Sequence, residues 1–193
     1  VNTLVYGTRM RERLSAEDWI DAGLRALASA GFTSLKAEVL AQKLNVSRGS
    51  FYWHFQDIGA YRTAVMRRWQ EVSATAIIEQ LEQTAAAGGD RLRLLLGLAF
   101  GTDPALEIGM RAWGASDPEA RAVVKAVDAQ RIDYLQAMLR DAGVGAKVAR
   151  ARAEVLNWAY LGFALSGRPA ARPLKSVVQE LADFAERRDP DAK

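Results

Sequence analysis

The stretch from Thr33 to Phe55, TSLKAEVLAQKLNVSRGSFYWHF, limits what this chain can fold into. Leu35, Val39, Leu40 and Leu44 recur at the spacing of one helical side, with the small Ala41 beside them. Asn45 interrupts that run, and asparagine accepts the left-handed backbone of a tight turn. Val46 is apolar, and Ser47 is placed to cap a second, short helix. Phe51 and Phe55, four residues apart, share the inner side of that helix. Ser47, Arg48, Ser50, Tyr52 and His54 then point outward or flank it. Two short helices, a tight turn and a polar outer surface predict a helix-turn-helix.

The rest of the chain is also helical in pattern. Ser15 can cap a first helix that carries Trp19, Ile20, Leu24, Leu27 and Ala28 and stops at Gly31. Asp57 can start a long helix to about Ala87, with Tyr61, Val65, Trp69, Val72, Ala76 and Leu81 roughly on one side. Gly88-Gly89-Asp90 breaks it, with Asp90 as the expected cap of an apolar helix up to Phe100. Asp103-Pro104 and Asp117-Pro118 are two restart signals, aspartate as cap and proline in the first helical position. The first of these helices should end near Gly114 and the second near Asp141. Two more helices are expected over 147–166 and from about Leu174 to Glu186. No strand pattern competes. The expected fold is all-α with about nine helices: a three-helix helix-turn-helix domain with an N-terminal arm over 1–60, and a helical domain over 61–193.

Composition narrows the chemistry. The chain has no Cys and a single His, so neither thiol chemistry nor a histidine-based metal cluster is expected, and no cofactor is implied. No run of 18 apolar residues free of charge occurs, and the first residues lack the apolar centre of a signal peptide. A cytoplasmic location without membrane contact is the expectation. Residues 1–70 hold ten Lys and Arg against six Asp and Glu, a net of +4, whereas residues 71–193 hold sixteen against seventeen, a net of −1. The positive excess lies with the helix-turn-helix stretch, as in a DNA-reading end on a neutral body.

Leu40-Ala41, Val46-Ser47 and Phe51-Tyr52-Trp53-His54-Phe55 resemble the signature of TetR-type transcriptional repressors. That pattern is a hydrophobic-Ala pair, a small turn residue, Val-Ser, and an aromatic-Tyr-x-His-Phe end. Three positions depart from it: Asn45 where the family usually has Gly, Lys36 where it often has a Thr cap (Ser34 being the alternative cap), and Ile58 where it has a phosphate-binding Lys. The resemblance implies a homodimer that binds a double-stranded, palindromic DNA operator and is released by a small-molecule effector.

Arg48 is the first candidate for reading a base, because guanidinium can grip guanine with two hydrogen bonds. Ser47 and Ser50 can bond to phosphate or a base edge, and Gly49 allows close backbone approach. Tyr52 and His54 match family positions that touch phosphate, and Trp53 can pack on sugar or a base methyl. Arg13, with Arg9 and Arg11, forms a basic arm suited to phosphates or a minor groove.

For an effector pocket the candidate linings are Trp69, Phe100, Met110, Trp113, Tyr134 and Trp158, with Asn157 or Arg111 as polar partners. A dimer contact is expected from the helices at 147–166 and 174–187. Ala149, Ala153, Leu156, Tyr160 and Phe163 make one stripe there, and Val177, Leu181 and Phe184 the other. Two further functions compete: a DNA-binding protein of this fold without an effector, and an all-α enzyme. The second has no nucleophile or phosphate motif to support it.

Overall fold

A computed structural model describes residues 14–83, 89–167 and 175–187. Arg13 and the arm before it lie outside the described residues. Helix α1 (Ala16–Ala30) opens with a capping box, in which the Ser15 hydroxyl accepts from the Asp18 amide at 3.2 Å and the Ser15 amide donates to Asp18 Oδ2 at 2.7 Å. Gly31, at φ 72°, ends it in a conformation that favours glycine. A 3₁₀ turn (Phe32–Ser34) leads to α2 (Ala37–Lys43) and α3 (Arg48–Tyr52). Asn45 between them has φ 54°, the left-handed turn expected of it. Ser34 does not cap α2; its hydroxyl donates to the Gly31 carbonyl at 2.6 Å, and Lys36 holds the cap position without a side-chain bond.

Helix α4 (Ile58–Gln70) starts at Asp57, whose carboxylate accepts from the Ala60 amide at 2.8 Å. It continues through a π-helical turn (Glu71–Thr75) into α5 (Ala76–Glu82); the expected end near Ala87 lies outside the described residues. Helix α6 (Gly89–Gly101) begins two residues early, which places Asp90 in its first turn rather than at its cap. At α7 (Ala105–Ser116) the cap position falls on Pro104, and Asp103 Oδ1 accepts from the Ala105 amide at 3.0 Å. Gly114 does not end α7. A Cβ there would lie 3.2 Å from the Arg121 Cα, so this glycine admits the backbone of α8 (Pro118–Asp141). Helices α9 (Ala146–Leu165) and α10 (Lys175–Glu186) complete the chain. Among the described residues there is no strand, and with α4, the π turn and α5 taken as one rod there are nine helices.

Two apolar cores form. The first gathers Trp19, Leu27, Leu40, Phe51, Tyr61, Val65 and Trp69 from α1 to α4, together with Met110 and Trp113 of α7 and Val127 of α8. The second joins α6, the end of α8, α9 and α10 through Leu92, Leu96, Phe100, Leu139, Leu156 and Ala182. Helix α7 therefore lies under the helix-turn-helix unit. A Cβ on Gly109 would fall 2.7 Å from the Leu27 carbonyl oxygen, so only glycine allows α7 this close to α1. Phe32 stacks on Trp113 at 6.0 Å and 8° beside the same joint.

Candidate nucleic-acid interface and ligand cavity

The outward surface of α3 is set by what lies beneath it. Phe51 meets Trp19 edge-on at 5.4 Å and Tyr61 at 5.2 Å, and Phe55 meets Tyr61 at 4.9 Å. The Tyr61 hydroxyl donates to the buried Trp19 carbonyl at 2.8 Å, which ties α4 to α1 under the turn. Gly23 admits that ring, since a Cβ there would sit 2.1 Å from the Tyr61 oxygen. With the phenylalanines fixed inward, Ser47, Arg48, Gly49 and His54 are exposed and Ser50 is half-buried. Tyr52 is 49% and Trp53 86% exposed, and for Trp53 that is a large bare apolar area with no ring or hydrogen-bond partner among the described residues. Ser47 occupies the cap position of α3 without a side-chain capping bond.

Arg48 is already oriented. Its Nη1 lies 3.0 Å from Glu38 Oε1 on α2, and its Nη2 donates to the Tyr52 hydroxyl at 3.1 Å. The Glu38 contact was not legible in the sequence, because nothing local links the two positions. Both side chains are well exposed, so solvent screens the pair and leaves the guanidinium able to exchange partners. Ile58 is half-buried against the first core.

The second site is a cavity of about 330 Å³, within the range of roughly 300–1,000 Å³ usual for small-molecule sites. Its apolar walls come from Val72, Ile77 and Ile78 around the π turn, Leu95 and Phe100 of α6, and Leu135 and Leu156 of α8 and α9. Leu106 of α7 borders it and also packs on the first core. The extra residue of the π turn shifts the helical register, so the stripe that faces the first core as Tyr61, Val65 and Trp69 continues into the cavity wall.

Glu107 and Arg131 form the polar side. Glu107, 4% exposed, accepts from Arg111 Nε at 2.7 Å and from Arg131 Nη2 at 2.9 Å. Asp128 accepts from Arg111 at 2.6 and 3.1 Å. Arg131 also donates to the Ser73 carbonyl at 3.3 and 3.1 Å, inside the π turn, and lies 5.2 Å from the Tyr160 ring centre. Burial, and next the nearby Glu107 carboxylate, push the Tyr160 hydroxyl up to about 12, so it carries its proton at neutral pH. The i,i+4 spacing of Glu107 and Arg111 was a signal available in the sequence; the link to Arg131 and Ser73 was not.

Of the residues expected to line a pocket, Phe100 and Tyr134 border the cavity, as does Asn157. Trp69, Met110 and Trp113 do not: they fill the first core, where α4 and α7 close on α1. Trp158 faces outward and is 63% exposed. Arg111 reaches the cavity only through Glu107. Of the stripe expected between subunits, Ala149, Ala153 and Leu156 are buried inside this chain's second core, and Tyr160 and Phe163 pack against it. The stripe is thus spent within one chain, because α9 lies along α8 on that side. Leu181 also packs on this core, whereas Val177 and Phe184 stay exposed.

Residues 20–60 match the family described as bacterial regulatory proteins, tetR family. Among the solved structures that resemble this chain, three match it over about nine-tenths of its length. One is the transcriptional regulator FadR from Bacillus subtilis in complex with stearoyl-CoA, at TM-score 0.64 and 15% identity over 89% of this chain and 97% of that one. The multidrug binding protein EbrR complexed with imidazole gives 0.62 and 21% over 92% and 98%. A protein described as a TetR-family transcriptional regulator from Rhodococcus sp. gives 0.68 and 15% over 89% and 98%. No curated protein matches the chain in sequence. No helix among the described residues is long and apolar enough to cross a membrane. Residues 20–60 thus match the helix-turn-helix domain of the tetR family, and the chain has the fold seen in TetR-family transcriptional regulators.

Proposed function

We propose that this protein is a cytoplasmic, homodimeric transcriptional repressor whose operator is released when a small molecule enters the α5–α9 cavity. The observation that carries the reading is the position of α7. Leu106 and Glu107 border the cavity, while Gly109, Met110 and Trp113, one to two turns on, pack against α1 and the helix-turn-helix. A ligand that displaces α7 therefore moves the reading surface. Structural relatives that hold stearoyl-CoA and imidazole support a ligand role for this body.

In this reading residues 1–60 serve DNA and residues 61–193 serve the effector and the dimer. Arg48 reads a base edge with Ser47, Gly49 and Ser50 close to the DNA. Tyr52, Trp53 and His54 hold the backbone, and Arg13 joins them from the arm. One reading surface covers a half-site, so a palindromic operator requires a second copy. The apolar residues left bare on the last two helices, Val155, Trp158 and Leu165 of α9 with Val177 and Phe184 of α10, are the surface for that copy.

Selection of bound sequences from a random duplex library is the test, followed by titration of the selected site. The expected result is a palindrome bound by a dimer in sedimentation. Trp158→Glu with Phe184→Glu should yield folded monomers with little affinity for the site. A wild-type protein that selects no sequence, or binds as a monomer at tens of micromolar, would overturn the reading.

A further inference from the structure

Arg131 is the one basic side chain that borders the cavity among the described residues, and its pairing is incomplete. Arg111 takes both oxygens of Asp128 and one oxygen of Glu107. Arg131 is left with the other Glu107 oxygen, on Nη2, and with the neutral Ser73 carbonyl, on Nε and Nη2. Its Nη1 is buried and has no hydrogen-bond partner. Asp128 Oδ1 lies 3.9 Å from Nη1, beyond hydrogen-bonding reach. A buried charged donor left without an acceptor is costly, so a ligand that supplies one gains more there than at a paired group. The Tyr160 ring, 5.2 Å from this guanidinium, and Asn157, one turn earlier on α9, border the same space. The Tyr160 hydroxyl keeps its proton and the Asn157 amide carries NH₂, so each can also donate. A carboxylate offers only acceptors and matches this set; an ammonium offers only donors and does not. Glu107, the carboxylate on the same wall, has each oxygen held by an arginine. Asp103 stands at the exposed rim, where solvent screens it.

We infer that the cavity takes an apolar monocarboxylate, its head on the Arg131 guanidinium and its body along Ile77, Ile78 and Leu95. This rests on the effector reading above and names its ligand class. The same grip gives the ligand a route to the reading head. A carboxylate is a stronger acceptor than the Ser73 carbonyl. It therefore draws the guanidinium away from the π turn, through which α4 joins α5.

The test is calorimetric titration of the full chain at neutral pH with octanoate, octanamide and octylamine. Octanoate should bind roughly tenfold or more tighter than octanamide, which has the same chain and a neutral acceptor, and octylamine should bind weakest. Arg131→Met with Glu107→Gln removes one charge of each sign from the network. That double variant should keep its helical circular dichroism and lose the preference for octanoate. Leu95→Trp, outside the polar network, should fill the apolar wall and weaken octanoate and octanamide alike. Equal or tighter binding of octanamide or octylamine by the wild type would overturn the proposal, as would a wild type that ignores octanoate at millimolar concentration. So would an unchanged octanoate affinity in either variant. Should the double variant not fold, the wild-type ranking and Leu95→Trp decide. Operator binding is read separately. If octanoate binds as described but leaves the protein on DNA, the ligand class stands and the effector reading falls.

Discussion

The reading head and the ligand cavity solve opposite problems with polar side chains. On α3 the polar groups face water and are poorly tied: Arg48 rests on Glu38 and Tyr52, both exposed. Around the cavity Glu107, Arg111, Asp128 and Arg131 close on one another largely out of water, with only Arg131 Nη1 of that network left without a hydrogen bond. The head must exchange water and internal partners for DNA, so weak internal pairing is useful there. The cavity must keep its shape when empty, so its charges are locked into one network. The two meet at Gly109, where α7 touches α1.

Removing a carboxylate from each region should expose that contrast. Glu107→Ala leaves Arg111 and Arg131 sharing Asp128, and should lower unfolding stability by on the order of 3 kcal/mol. Glu38→Ala should leave the urea midpoint unchanged within error, since its partner stays hydrated. A loss from Glu107→Ala no larger than that from Glu38→Ala would mean the cavity network is as solvated as the surface pair.

The joint itself gives the next effect. Gly109→Ala forces a methyl to 2.7 Å from the Leu27 carbonyl, so α7 and α1 must part. We expect about 1–3 kcal/mol of destabilisation, as for other overpacked contacts. Operator affinity should fall with it while amide exchange protection in α8 and α9 survives, because the cavity residues are untouched. Equal losses of both would show that the substitution unfolds the whole chain instead of separating its halves.

What was legible in the sequence follows the same division. The head is written in 23 consecutive residues, and the periodicity of Leu35 to Leu44, the turn at Asn45 and the pair Phe51 and Phe55 are local features that local rules read. The helix restarts at Asp117-Pro118 were equally local. The cavity draws on residues from Val72 to Tyr160, and which aromatic of a helix meets it depends on crossings no window contains. Trp69 and Trp113 illustrate this: large, apolar and correctly spaced, they are consumed by the α1–α7 joint. The α9 stripe failed similarly. Ala149, Ala153 and Leu156 have the spacing of an interface, but α8 of the same chain occupies it. The π turn was hidden because its residues continue a helical pattern without a breaker.

On DNA the head should separate two kinds of contact. Arg48→Ala should weaken the selected site by about tenfold or more and random duplex much less, the mark of a lost base contact. Tyr52→Phe should weaken both alike, since a phosphate contact carries no sequence information directly. Arg48 and Tyr52 share a hydrogen bond, so their effects should be less than additive in the double variant. Titration of both duplexes at one salt concentration decides it. Equal losses on the two duplexes for Arg48→Ala would assign that guanidinium to the backbone.

The smallest expected effect tests how far the head can be tuned without disturbing its core. Ile58 opens α4 and is half-buried on the first core, at the position where the resembling family carries a phosphate-binding lysine. A lysine stem can cover much of the same apolar surface while its ammonium reaches water. Its charge would sit at the positive end of α4, a small penalty in the free protein that a DNA phosphate would remove. Ile58→Lys should therefore cost stability slightly, bind selected and random duplexes tighter by the same factor, and steepen the log–log dependence of affinity on salt by about one unit. Affinity titrations from low to moderate salt, beside urea unfolding, measure all three. If the slope stays that of the wild type, the start of α4 does not face the DNA backbone, and the head docks with α3 tilted away from it.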